Sequence, residues 1–221
     1  MKKVLNHGFV RLVDKMGDDS TIVRSARVSY GDGTKTKRED EKLIEYLLKN
    51  KHWTPFEMVV FTFHVKLPIF IARQWMRHRA GSYNEISARY SVMKDEFYVP
   101  DYDRIQGQSL LNKQCSGELL EIDDQVAAKS MIEIANQNAY ETYKDLIDLG
   151  VARELARVVL PVSTYTEFYW KVDLRNLFNF LELRLHNHAQ YEIRVYAEAI
   201  TEIIQDIIPM ALKSFKNNCL Q

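Results

Sequence analysis

Cysteine is scarce in this chain: Cys115 and Cys219 are the two, far apart and in no Cys-x-x-Cys pair. A disulfide scaffold or a cysteine-rich zinc site is thereby excluded, and a reducing cytoplasm fits best. Excess charge is lacking too. Lysine plus arginine and aspartate plus glutamate number 30 each in 221 residues, so no global positive field advertises nucleic acid or an anionic membrane, and any anion has to be bound locally. No apolar run approaches the length of a membrane span, and the lysines at positions 2 and 3 have no apolar run behind them, so the expectation is neither a membrane protein nor a secretory signal. No Gly-x-Gly-x-x-Gly follows a strand pattern, which removes the Rossmann solution for any dinucleotide. Repeats, low-complexity tracts and linkers are missing as well. One domain over residues 1–221 is expected.

What is present alternates between two periods. Phe9 to Val13 reads as a short strand, and Asp18-Asp19-Ser20 offers N-caps for a helix through Val28. Gly31-Asp32-Gly33 reads as a loop. Lys37 to Lys51 is amphipathic, with Thr54-Pro55 as its end. From Glu57 to Lys66, Val59, Phe61, Phe63 and Val65 alternate with Val60, Thr62, His64 and Lys66, which predicts a strand. Pro68 suits the first turn of a helix over Ile69 to Arg79, with Gly81 as its stop. Tyr98 to Ser116 reads as loop. A long helix follows from Leu119 to Leu149, closed by Gly150, then a short one from Arg153 to Leu160 stopped by Pro161. Thr164 to Val172 predicts a further strand, and helices over Leu174–Leu185 and Ala189–Phe215 finish the chain, the latter kinked at Pro209. Strands among helices without βαβ alternation imply an α+β fold, an antiparallel sheet flanked by long helices.

Chemistry concentrates at one place. Arg73, Gln74 and Arg77 crowd one flank of their helix and Arg79 follows, before a polar stretch, Gly81-Ser82-Tyr83-Asn84-Glu85-Ile86-Ser87-Ala88-Arg89-Tyr90. Arginines at a helix end also offset the helix dipole on an ordinary solvated surface. A turn with exposed N–H groups, a serine and flanking guanidiniums is equally what a phosphate dianion requires. A nucleic-acid module is the rival reading, with Arg73, Arg77, Arg79 and Arg89 on phosphates and Tyr83 and Tyr90 stacked on bases. Neutral net charge weighs against it.

Arg77-His78-Arg79 followed, after a seven-residue gap, by Ser87 resembles the ThyX family, the flavin-dependent thymidylate synthases. The resemblance extends through His52-Trp53-Thr54-Pro55-Phe56-Glu57, Ala156-Arg157, Leu160-Pro161 and His188-Ala189-Gln190, from Gly8 to about Ala199. It implies a ThyX-like fold and conversion of dUMP to dTMP, with 5,10-methylenetetrahydrofolate as carbon donor and FAD reduced by NADPH as hydride source. It further implies a dUMP site made of Gln74, Trp75, Met76, Arg77, Glu85, Ile86, Ser87, Ala88, Arg89, Arg157 and Arg184, the last promoting ionisation of uracil N3. FAD contacts are implied at Thr54, Arg77, His78, Arg79, Glu85, Asp173, Leu174, Arg175 and Asn179, with Ser29, His52 and His188 close by. A homotetramer with FAD sites shared between subunits completes the expectation.

The residues suit that chemistry. Cysteine-dependent thymidylate synthases activate uracil by adding a thiolate to carbon 6, and neither cysteine here has an activating neighbour. Stabilising the N3 anion with a permanent guanidinium is the alternative. A flavoprotein that oxidises NADPH without methyl transfer is a further rival. Two positions depart from the family. Asp173, where many relatives have asparagine, is also a good N-cap. His186 stands where the order Arg-x-Asp-x-His has its acid, and no metal site is expected from His186 and His188, which diverge on a helix.

Overall fold

The computed structural model describes residues 1–28, 37–113 and 115–220. Ser29 and the Gly31-Asp32-Gly33 loop lie outside them. Five strands, β1 (Lys2–Val4), β2 (Gly8–Met16), β3 (Val60–Pro68), β7 (Tyr165–Asp173) and β4 (Ser82–Glu85), form an antiparallel sheet in the order β1-β2-β3-β7-β4. A small hairpin, β5 (Gln106–Gln108) with β6 (Ser116–Leu119), stands apart. The α+β expectation holds.

Alternation explains the sheet's position. Val59, Phe61, Phe63 and Val65 are fully buried, as are Trp75 and Phe180, and Phe168 and Trp170 nearly so. Helices α4 (Ile69–Trp75), α7 (Leu174–Leu185), α8 (Tyr191–Ile204) and α9 (Pro209–Cys219) contribute to the same core, with α1 (Asp19–Arg27) and α2 (Lys37–Lys49). Each fully buried large side chain is worth on the order of 2–3 kcal/mol, so this single cluster is the fold's main support. Phe168, Trp170, Phe178 and Phe180 belong to it.

Asp18 caps α1 as expected, its carboxylate accepting from the Ser20 N–H at 2.9 Å. Its neighbour Asp19 does something the sequence pattern does not suggest. Buried at the start of α1, it accepts from the N–H groups of Met210 at 2.7 Å and Ala211 at 3.0 Å, capping the first turn of α9 from 191 and 192 positions away.

Several boundaries differ from expectation, each for a local reason. Thr54-Pro55 does not end α2, which stops at Lys49 before Lys51 in a left-handed conformation; it opens the short helix α3 (Thr54–Glu57), where proline's fixed φ is pre-organised. The strand thus starts at Val60 and runs through Pro68, which is extended and precedes the helix rather than lying in its first turn. The next helix ends at Trp75, not Arg79, so Arg77-His78-Arg79 lies beyond it. Gly81 is not a helix stop. It lies where β4 meets β7, and a Cβ there would come within 2.7 Å of the Trp170 indole nitrogen. Residues 82–85 are strand, paired to β7 from Ser82↔Lys171 to Glu85↔Phe168. The long helix is α5 (Ile122–Asp148), shortened because β6 takes residues 116–119 and ended by Gly150 at φ +86. Arg153–Leu160 resolves into α6 (Arg153–Ala156) and a tighter turn over Arg157–Val159. Pro209 begins a separate helix rather than kinking a continuous one, because it lacks the N–H that an uninterrupted helix requires.

Candidate active site

Beyond α4, a short turn places the Arg77-His78-Arg79 triplet against the end of α7. The His78 N–H donates to the Trp75 carbonyl at 3.0 Å. The hydroxyl of Tyr83, on β4, donates to the His78 carbonyl at 2.8 Å and reaches the Trp75 carbonyl at 3.4 Å. These bonds occupy carbonyls that the truncated helix leaves open.

From α7 comes Arg184. Its Nε donates to His78 Nε2 at 3.1 Å and its Nη2 to the Gln74 carbonyl at 3.2 Å. The His78 ring lies edge-on to Phe180. Burial, reinforced by the Arg184 charge, pushes the imidazole down to about 4, so it is neutral near pH 7. Burial lowers Arg184 as well, and the guanidinium stays charged. Gln74 is tied across to Gln190, at the start of α8.

Together these residues bound a cleft of about 240 Å³, lined by the triplet, Ala80, Trp170, Val172, Asn176, Asn179, Leu183 and Arg184. Leu183 and Arg184 also line a larger groove of about 1350 Å³ on their other side, with Trp53, Lys49, Lys51, His186, His188 and Cys219. Arg184 is therefore the wall between two concavities. Arg77 and Arg79 are exposed and make no hydrogen bond or ion pair among the described residues, unlike cations held for structure.

The other expected residues form two further groups. Ser87, Ala88 and Arg89 follow β4. Ser87 Oγ accepts from the Arg89 N–H at 3.2 Å, while Arg89 pairs with Glu154 at 3.6 Å and Arg157 Nε donates to the Glu154 carbonyl at 3.3 Å. Glu85 is anchored by the Thr166 hydroxyl, and the N–H of exposed Ile86 donates to the Glu167 carbonyl. In the third group, Arg175 is paired with Glu57 of α3, the helix that Thr54 begins.

Some expected contacts have little side chain to offer. Trp75 and Leu174 are fully buried and Met76 packs partly against the core, so the first two can meet a ligand only through main chain. Both carboxylate oxygens of Asp173 are engaged in capping α7, through the Asn176 N–H at 3.0 Å and its amide at 2.7 Å. His186 ends α7, and its Nδ1 accepts from the His188 N–H at 3.1 Å, a task an acid could perform there. No group of three or more His, Cys, Asp or Glu is placed to hold a metal among the described residues. His52 and His188 are exposed, His52 edge-on to Tyr46. Burial raises the Cys219 thiol, which suppresses thiolate, and Cys115 Sγ lies 3.8 Å from the His188 carbonyl. Tyr83, named in the sequence only as a candidate for stacking on bases, instead supports His78 from β4, a role that pattern reading missed because a four-residue strand is too short for its inward alternation to register.

Fold and cleft define an α+β protein in which a sheet edge and a helix end gather guanidiniums and amides around a site suited to an anionic, planar ligand. A family model described as "Thymidylate synthase complementing protein" matches residues 11–210. The chain is 57% identical over 219 residues to a flavin-dependent thymidylate synthase of Thermus thermophilus, covering 99% of this chain and 79% of that one. It is 57% identical over 217 residues to one from Treponema denticola, covering 98% and 82%. Among solved structures, the UMP/dUMP methylase PolB from Streptomyces cacaoi, bound with 5-Br dUMP, superposes with a TM-score of 0.89 at 35% identity, covering 98% of each chain. The chain belongs to the flavin-dependent thymidylate synthase family and is an enzyme of it.

Proposed function

We propose that residues 1–221 form a single thymidylate synthase domain that reductively methylates dUMP to dTMP in the reducing cytoplasm, releasing tetrahydrofolate from 5,10-methylenetetrahydrofolate. Bound FAD, reduced by NADPH, supplies the hydride. The donor set fits such a cofactor: unpaired Arg77 and Arg79 suit its phosphates, the Asn176 and Asn179 amides its polar edge, and Val172 and Leu183 its apolar faces. Thr54, His78, Glu85, Arg175 and Asn179 would complete its contacts, with Leu174 serving through main chain, Asp173 only as an acceptor, and His52 and His188 nearby.

The dUMP phosphate is assigned to Ser87, the Ala88 main chain, Arg89 and Arg157, and the nucleoside to Gln74, Arg77, Glu85, Ile86 and Arg184, with Trp75 and Met76 backing them. Arg184 carries the reading. It is half-buried and permanently charged, and two acceptors hold it against a neutral histidine. Such a cation stabilises negative charge on uracil N3 and raises electron density at carbon 5, without a thiolate and without itself moving a proton.

A cleft of about 240 Å³ is smaller than the ~300–1,000 Å³ of sites that bury drug-sized ligands. A second copy supplies the missing walls in our reading. The apolar Met131 and Ile134 of α5, both well exposed, are assigned to contacts in a homotetramer with shared FAD sites. The molecule's ligand is a mononucleotide rather than a nucleic acid, and no described helix is long and apolar enough to cross a membrane.

Changing Arg184 to Ala tests the assignment. The variant is expected to retain FAD absorbance while dTMP formation falls by about a hundred- to a thousandfold, the range of a lost preorganised donor. Near-normal turnover would remove Arg184 from its role.

A further inference from the structure

An arginine in the last turn of a helix ordinarily samples many rotamers, and ordering it costs side-chain entropy. Arg184 is not left free. Its Nε and Nη2 are engaged by His78 Nε2 and the Gln74 carbonyl, at 3.1 Å and 3.2 Å. The acceptor is itself fixed from two sides. Phe180 meets the His78 ring edge-on, and the Tyr83 hydroxyl holds the residue's own carbonyl at 2.8 Å. Tyr83 in turn lies between Phe168 and Trp170 in the aromatic core. An unbroken line of contacts therefore runs from the sheet through Tyr83 and His78 to the Arg184 guanidinium.

We propose that His78 is a positioning residue that acts through Arg184, serving as the acceptor that orients the guanidinium toward the pyrimidine. The inference rests on the reading of Arg184 given above and adds a role to His78 beyond contact with FAD. The geometry dictates the tautomer. A histidine accepting at Nε2 carries its proton on Nδ1, whereas an imidazolium would present an N–H to a guanidinium and set two cations against each other. The low pKa of His78, about 4, keeps the acceptor form throughout the neutral range. Of the Arg184 nitrogens, Nη1 is the one these two bonds leave over.

The test is a double-mutant cycle on the FAD-loaded enzyme. His78→Leu removes the acceptor, His78→Gln can return an oxygen to the position of Nε2, and Arg184→Lys keeps the charge without the Nε donor. Turnover is followed by tritium release from 5-tritiated dUMP, and dUMP and FAD dissociation constants by titration. His78→Leu is expected to lower kcat/KM for dUMP about tenfold in the wild-type background and less than about twofold in the Arg184→Lys background, the size of coupling found for contacting residues. His78→Gln should recover most of the loss. Equal penalties for His78→Leu in both backgrounds, or a Gln variant as impaired as Leu, would overturn the positioning role; so would a loss confined to FAD affinity. If Arg184→Ala turns over dUMP normally, the reading of Arg184 has failed, and this inference fails with it. If Arg184→Ala is inactive and the cycle shows no coupling, positioning alone has failed.

Discussion

At the scale of single residues, the cleft's electrostatics give His78 a measurable signature. An unperturbed imidazole titrates near 6.5, while His78 is held at about 4 by burial and by the Arg184 charge. As pH falls through 6.5 the unfolded chain takes up a proton that the folded chain refuses until about 4. Stability therefore rises with pH across that window, and the contribution is whole above it. The Tm of the ligand-free protein should fall between pH 6.5 and 4, and His78→Gln should remove part of that slope. A variant as acid-sensitive as the wild type would show that His78 does not titrate as described. The family resemblance singled out His78 and Arg184 separately, but the bond between them, across 106 positions, was not readable from the sequence. Asp173 was legible as an N-cap because capping is local, whereas Asp19 caps a helix that only tertiary folding brings to it.

At the scale of elements, legibility followed period and length. The helix Leu174–Leu185 and the buried face of the strand through Phe61 and Phe63 emerged from periodicity alone. The polar stretch after Arg79 did not, because β4 is recruited by pairing with β7 rather than by any pattern of its own. Helix α5 is the element whose surroundings are least accounted for within one chain. It spans 27 residues, about 40 Å, yet only Gln125, Asn136 and Tyr143 are buried along it. Met131 and Ile134, at 70% and 57% exposure, lie one turn apart. Ile134→Glu is expected to reduce the proposed homotetramer to smaller species in light scattering and to weaken FAD binding in parallel, since a charge forced into an apolar interface costs several kcal/mol. A tetramer unchanged in mass and flavin content would place the subunit contacts elsewhere.

At the scale of the whole molecule, the α+β class and the antiparallel sheet were readable, and the strand order β1-β2-β3-β7-β4 was not, since it depends on pairings between distant segments. Arg77 and Arg79, exposed and without a partner among the described residues, leave two cations free for the anionic ligands proposed above. At 100 times Kd a ligand specific to the folded state adds about 2.7 kcal/mol, or on the order of 5–10 °C in Tm for a chain of this size. Saturating dUMP and FAD should each produce such a shift in a thermal scan, and the absence of both would contradict the site assignment. The Asp19 cap carries a different implication, one of timing. During synthesis at about 5–20 residues per second, Asp19 leaves the ribosome roughly 10–40 s before Met210 and Ala211, its partners 191 and 192 positions later. Through that interval its partners in α9 do not yet exist, so the contact that joins the first helix to the last forms only after nearly the whole described chain has been made. Synthesis, rather than local helix formation, sets the earliest moment at which this protein can close its core.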